Sequence, residues 1–151
     1  VSGIPCITKK ISTLIGAIII VLATMLMGAI VSKSGSSLAC DIWPLCSNDG
    51  VSIFQHNKII HLSHRILALI SVIFVFLIVN FFKDVVQYKI IFVLRNILIS
   101  LIILQILIGA TVIFTELNLF IAMFHQSIAV ILFIVLSFLF WFTLQSNFKR
   151  N

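Results

Sequence analysis

Ile60-His61-Leu62-Ser63-His64-Arg65 leads into a run from Ile66 to Phe82 in which only Ser71 and Asn80 are polar. A helix of about 20 such residues crosses a roughly 30 Å hydrocarbon layer. Two histidines and an arginine therefore stand at the mouth of a membrane span. Ionisable side chains in that position are costly, usually face the interior of a helix bundle, and mark a functional site by default. His125 occupies a similar place in the last apolar run of the chain.

The rest of the sequence agrees with a membrane setting. Of 151 residues, 62% are hydrophobic and 9% are charged, and the mean hydropathy is +1.29. A soluble domain is about half apolar and a quarter charged. Four runs, at about 11–31, 59–82, 90–114 and 119–144, are long enough to span, with a polar loop at 32–58. The expected fold is an all-α integral membrane protein, a single four-helix transmembrane domain over residues 1–151. The first run follows Lys9-Lys10 as a signal peptide would, but it is too long and no small-x-small site follows directly. Ser37-Leu38-Ala39-Cys40 lies too far past that run to be a lipoprotein cleavage site. The sequence opens at Val1, which leaves room for residues before it.

A net charge of +6 would suggest nucleic acid in a soluble protein. Here the basic residues sit at the ends of apolar runs and read as topology signals, so lipid is the expected surrounding and no nucleic-acid partner is expected. Lys9, Lys10, Lys83, Lys89, Arg95, Lys149 and Arg150 fall on one side, with Arg95 snorkelling to the interface. Lys33 and Lys58 fall on the other. By the positive-inside rule, both termini and the Lys83–Lys89 loop are expected in the cytoplasm of a multi-pass cell-membrane protein. The Ser32–Lys58 loop and the Thr115–Asn118 turn are then outside.

In the first span Gly16, Ala17, Ala23, Gly28 and Ala29 are small enough for close helix approach. The outer loop carries Cys40 and Cys46, which can form a disulfide in an oxidising compartment. Closing so short a loop stabilises by under about 3 kcal/mol, so a structural bridge and a redox-active pair are both open readings. Between them, Trp43 and Pro44 suggest a rigid element at the interface. Cys6, on the reducing side, reads as a free thiol, and His56 as a solvated loop histidine.

His61 and His64 are three apart and share adjacent parts of one helix face. His64 is about five residues into its span, roughly 8 Å below the outer edge, and His125 reaches the same depth from the same side. Gln105 and Thr111 read as interhelical hydrogen-bonding groups. Glu116, the sole glutamate of the chain, falls in the outer turn.

A short repeat links these features. Met27-Gly28-Ala29-Ile30-Val31 ends the first span and Ile108-Gly109-Ala110-Thr111-Val112 ends the third. His64-Arg65-Ile66-Leu67-Ala68-Leu69-Ile70 opens the second and His125-Gln126-Ser127-Ile128-Ala129-Val130-Ile131 opens the fourth. Two hairpins of equal orientation imply a pseudo-two-fold along the membrane normal, one way to build a site between halves. Two histidines from facing helices at one depth suit the axial positions of a six-coordinate haem. Its propionates would need cations, and Arg65, Lys58 and Lys33 lie at that end. Zinc would want three or four ligands, for which only His61 and His64, with His56 or a carboxylate, are at hand.

The chain resembles the haem A synthase family. The resemblance is carried by Ser34-Gly35-Ser36, by Cys40-Asp41-Ile42-Trp43-Pro44-Leu45-Cys46, by His64-Arg65, and by Gln105 with Gly109-Ala110-Thr111-Val112 and His125-Gln126. It implies a membrane oxidoreductase that converts a ring methyl group of haem O to the formyl group of haem A. It further implies His64 and His125 as axial iron ligands, and a Cys40–Cys46 pair that can form a disulfide implicated in function or haem transfer. The cofactor is then a haem, of b or O/A type, with its iron. The wider partners implied are the haem substrate and a haem O synthase or a terminal oxidase.

Two departures qualify the resemblance. Members often carry a glutamate three residues before the His-Arg pair, where this chain has His61, making His61 the candidate catalytic residue. Members also commonly have two four-helix units, so a homo-oligomer, a dimer, is expected to restore a two-haem arrangement. The competing reading is a non-catalytic membrane haem-binding or electron-transfer protein. A disulfide-generating quinone oxidoreductase is a third, but it would relay electrons through two cysteine pairs, and the outer loop holds one.

Overall fold

The computed structural model describes residues 4–40, 42–44, 46, 56–83 and 89–148, with the backbone alone for 4–8 and 146–148. The Cys6 side chain, Asp41, Lys149, Arg150 and the link between Lys83 and Lys89 lie outside the described residues. Among the described residues there are four helices: α1 (Ile4–Lys33), α2 (His56–Phe81), α3 (Lys89–Phe114) and α4 (Leu119–Phe148). All four are long and apolar enough to cross a membrane. Helix is the form these runs must take in lipid, where each backbone N–H and C=O needs a partner within its own segment. Of the two prolines, Pro5 sits in the first turn of α1, where a missing N–H costs nothing, and Pro44 lies in the loop.

The helices outrun the expected apolar spans at the end where the termini lie. Thr8-Lys9-Lys10 continue α1, and Gln145 continues α4, because polar residues end a hydrophobic stretch without ending a helix. At the other end α2 begins at His56, so His56 is an exposed residue of the first helical turn and not a loop histidine.

The bundle is antiparallel in sequence order. The α1–α2 and α3–α4 hairpins pack most closely, α1 also lies against α4, and α2 touches α3 least. Helices α2 and α4 are thus diagonal, with no close backbone approach between them among the described residues. A continuous core fills the half of the bundle nearer the termini. It joins Leu14, Ala17 and Val21 of α1 to Val75 and Ile78 of α2, Leu94 and Leu98 of α3, and Leu132, Leu136 and Leu139 of α4. In lipid such packing stabilises mainly through van der Waals contact. It stops at Val21 and Leu132, each seven residues short of Gly28 and His125 respectively, or about 10 Å along a helix.

Gly16 shows how tight this half is. A Cβ there would lie 2.5 Å from Cε1 of Phe74. Gly16→Ala is therefore expected to push the Phe74 ring aside and destabilise the bundle by about 1–3 kcal/mol. A lowered thermal midpoint of the detergent-solubilised protein checks this, and an unchanged midpoint would contradict it.

Helices α1 and α3 end alike. At α1, Ser34 N–H donates to the Ile30 carbonyl (2.8 Å) and Ser36 N–H to Val31 (3.0 Å), with Gly35 at φ 70°. At α3, Thr115 N–H donates to Thr111 (3.0 Å) and Leu117 N–H to Val112 (3.0 Å), with Glu116 at φ 48°. Both are helix stops through a left-handed residue. The similarity of Val31 and Val112 in the sequence repeat thus extends to the backbone. Asn118 then caps α4, its Oδ1 accepting from Phe120 N–H at 3.0 Å.

Candidate functional site

Each repeated glycine carries a histidine ring. A Cβ on Gly28 would lie 3.1 Å from Cε1 of His64, and a Cβ on Gly109 would lie 3.1 Å from Cε1 of His125. The ring nitrogens fall at matching distances as well, 3.5 and 3.9 Å for Nδ1 and Nε2 of His64, and 3.7 and 3.8 Å for those of His125. Glycine is used here for close approach, since any side chain would press on the imidazole edge. The histidines project from the diagonal helices α2 and α4, and His125 lies within electrostatic range of His64.

His64 is held in one tautomer. Its Nδ1–H donates to the Thr24 carbonyl at 3.1 Å, which leaves the Nε2 lone pair for a metal. Ligating histidines are commonly anchored in this way through the other ring nitrogen. Beside that bond, Thr24 Oγ1 meets Ser71 Oγ at 3.0 Å, joining α1 to α2. The sequence reading missed this polar pair, because a threonine and a serine on separate spans carry no shared motif. The expectation for Thr111 fails in the other direction. Its hydroxyl is exposed and donates back to the Leu107 carbonyl of its own helix (2.8 Å), as threonine can in any helix. Gln105 is half-buried, and its Oε1 has no hydrogen-bond partner among the described residues.

The loop folds over this end of the bundle. Cys40 and Cys46 are bonded, and Cys40 and Ser36 are fully buried. Arg65, one residue past His64, holds the loop: Nη1 donates to the carbonyls of Ile42 (2.8 Å) and Pro44 (3.1 Å), and Nη2 to that of Cys40 (2.9 Å). The guanidinium therefore has a job that the sequence did not announce. Trp43 is exposed. His61 is buried beneath the loop at 5% exposure; its ring engages the Ser36 backbone, while Nδ1 has no partner among the described residues. Lys58 is half-buried on the first turn of α2, and Lys33 is exposed at the end of α1. Glu116 is exposed in the α3–α4 turn.

Charge-assisted hydrogen bonds contribute about 1.5–3 kcal/mol each when sheltered and less when partly exposed. Arg65→Ala is accordingly expected to free the loop and make the Cys40–Cys46 bond several-fold faster to reduce with a small thiol, measured by alkylation of the released cysteines. An unchanged rate would mean that Arg65 does not hold the loop.

Among the described residues no group of three or more His, Cys, Asp or Glu side chains comes together. The arrangement offers instead two imidazoles, on the diagonal helices α2 and α4, each close over a glycine. That donor set is compatible with a flat cofactor, and the Nδ1 bond of His64 leaves its Nε2 lone pair for a metal.

Comparison with known proteins finds a family that matches most of the chain. The COX15-CtaA family, described as cytochrome oxidase assembly protein, matches residues 7–137. Proteins named heme A synthase are similar: that of Oceanobacillus iheyensis is 37% identical over 74% of this chain and 37% of its own length. That of Staphylococcus carnosus is 39% identical over 80% of this chain and 39% of its own length. That of Geobacillus thermodenitrificans is 32% identical over 87% of this chain and 42% of its own length. The chain thus spans about two fifths of the relatives it matches.

Proposed function

Because the chain belongs to the COX15-CtaA family of cytochrome oxidase assembly proteins, we propose that it is a haem A synthase-type membrane oxidoreductase acting in haem A biosynthesis. In this reading it oxidises the ring methyl group of haem O to formyl. The observation that carries it is the pair of histidines on diagonal helices, each seated on a glycine of the preceding helix. His64 and His125 are the residues that would hold the haem iron, His64 through the Nε2 that its Nδ1 bond leaves available. The haem iron supplies the oxidising chemistry when bound. The protein's part would be to hold the cofactor with the histidines of α2 and α4 and to exclude water with the loop. Arg65, fixed by the loop carbonyls, and Lys58 and Lys33 keep positive charge at the end where propionates would lie. His61, buried with an unpaired Nδ1, is the side chain proposed to hold or move a proton beside the cofactor. The two hairpins are proposed to be related by a pseudo-two-fold along the membrane normal, with the loop outside and the termini in the cytoplasm.

Relatives named heme A synthase are longer than the stretch matched here, and a second four-helix unit is expected alongside this one. A second copy of the chain is the proposed supplier, and mass measurement of the purified protein in detergent, expected to give a dimer, tests it. A haem O synthase and a terminal oxidase are the proposed neighbours in haem delivery.

Co-expression with a source of haem O, followed by chromatography of extracted pigments, tests the activity. The expected result is haem A, with the yield reduced about 100-fold in His61→Ala if the side chain moves a proton and haem binding retained. The second reading, a non-catalytic haem carrier, is favoured by His61 standing where the family glutamate is expected. It requires stoichiometric haem and no haem A from the wild-type chain.

A further inference from the structure

We propose that the face of α3 carrying Asn96 and Ser100 is the surface on which a second copy of this chain docks. A second copy is already the proposed supplier of a further four-helix unit, and this placement rests on that reading. Among the described residues α3 buries the smallest share of its span, 6% against 17–28% for the other three helices. It packs on α4 and touches α2 least. Ser100 precedes Gly109 by nine residues, or about two and a half turns. It therefore lies on the side of α3 opposite the glycine that meets His125 of α4.

That open face is polar where lipid surrounds it. Val93, Asn96, Ile97, Ser100, Leu101 and Leu104 line a shallow groove of about 360 Å³ along it. Asn96 and Ser100 are exposed, and Ser100 is the twelfth of the 26 residues of α3, close to the bilayer centre. Polar side chains at that depth are costly unless they find partners. Ser71, Ser127 and Ser137 find one in their own helices, each hydroxyl donating to the carbonyl four residues back at 3.0, 2.9 and 2.9 Å. Ser100 makes no hydrogen bond among the described residues. Asn96 has one long bond, Arg95 Nη2 donating to its Oδ1 at 3.4 Å, which leaves the two amide hydrogens of Asn96 to be satisfied.

The chemistry of these two residues selects a second copy as the occupant. Two copies inserted in the same direction are related by a two-fold along the membrane normal, and residues near that axis meet their own counterparts. A charged side chain would repel itself there. An asparagine amide carries both donors and an acceptor, as does a serine hydroxyl, so each can pair with its own copy. Asn96 and Ser100 are four apart and share one stripe of the helix. Between apolar neighbours they supply interhelical hydrogen bonds that lipid does not. Arg95 is about 100° round the helix from Asn96 and lies over the Phe92 ring, 5.0 Å from its centroid, clear of the seam.

Thiol crosslinking of the full chain in membranes tests the face, in a Cys6→Ser background. Ser100→Cys is expected to give a covalent dimer with a mild oxidant. Ile106→Cys, at a position that is also exposed but about 120° round the helix, is expected to remain uncrosslinked. In detergent, Asn96→Leu combined with Ser100→Leu should weaken dimerisation about 10-fold, with helix content unchanged by circular dichroism. Absence of the Ser100→Cys dimer, its crosslinking to a different protein, equal crosslinking through Ile106→Cys, or dimerisation undiminished in the double variant overturns this face. In each case the mass of the wild-type protein separates the two readings. A wild-type dimer leaves the proposed second copy standing with another interface, and a wild-type monomer ends both.

Discussion

His64→Ala and His125→Ala are each expected to remove the haem Soret band from the purified protein while leaving the four helices intact. The helices do not depend on these side chains. Each run is apolar enough to span by itself, and the core that joins them ends short of the histidine level. Loss of an axial ligand should exceed the roughly 10–100-fold cost of losing an outer-sphere partner, so haem retention is expected to fall by more than about 100-fold. Absorption after purification, with circular dichroism as the control for folding, checks this. The variants are not equivalent in their second effect. His64→Ala also frees the Thr24 carbonyl of the bond it accepts, whereas His125→Ala removes a buried Nδ1 that has no hydrogen-bond partner among the described residues.

The second large effect is expected at the glycines, which contact no cofactor in this account. Each would bring a Cβ within 3.1 Å of a histidine Cε1. Alanine there asks the ring to give by a few tenths of an ångström, while leucine asks it to leave. Overpacking costs about 1–3 kcal/mol, so Gly28→Ala and Gly109→Ala should weaken haem binding about 10–100-fold. Gly28→Leu and Gly109→Leu should abolish it. Ala29→Leu is the control. Ala29 is adjacent in sequence but exposed on the outside of the bundle, and its substitution should leave haem content unchanged. Haem-to-protein ratios across this set separate seating of the ring from a general intolerance of bulk in α1. Equal loss in Ala29→Leu would point to the latter.

The sequence was most informative where the membrane restricts the chain. The apolar runs translate directly into helices because lipid allows few alternatives. The errors lie in how far the helices continue into water, as at His56 and Gln145. The Gly-Ala-x-Val and His-x-x-x-Ala-x-Ile repeat was visible as residue identities, but its meaning was not. Sequence could not say that each glycine lies under a histidine, because that contact depends on the rotation of two helices about their axes. Arg65 is a similar case. Its charge beside His64 suggested a propionate partner, and the three loop carbonyls it binds carry no signature in side-chain identity. Thr111 and Thr24 are the clearest contrast. Both are threonines in small-residue stretches, yet one bonds its own helix and the other also reaches Ser71.

The paramagnetic resonance spectrum of the oxidised wild-type protein, purified with haem, tests the central claim most directly. Two imidazole ligands on one iron predict a low-spin signal of the bis-histidine type, converted to high spin when either His64 or His125 is replaced and haem is supplied in excess. A high-spin wild-type spectrum, or a low-spin signal that survives both substitutions, would contradict the assignment of these two histidines as the ligand pair.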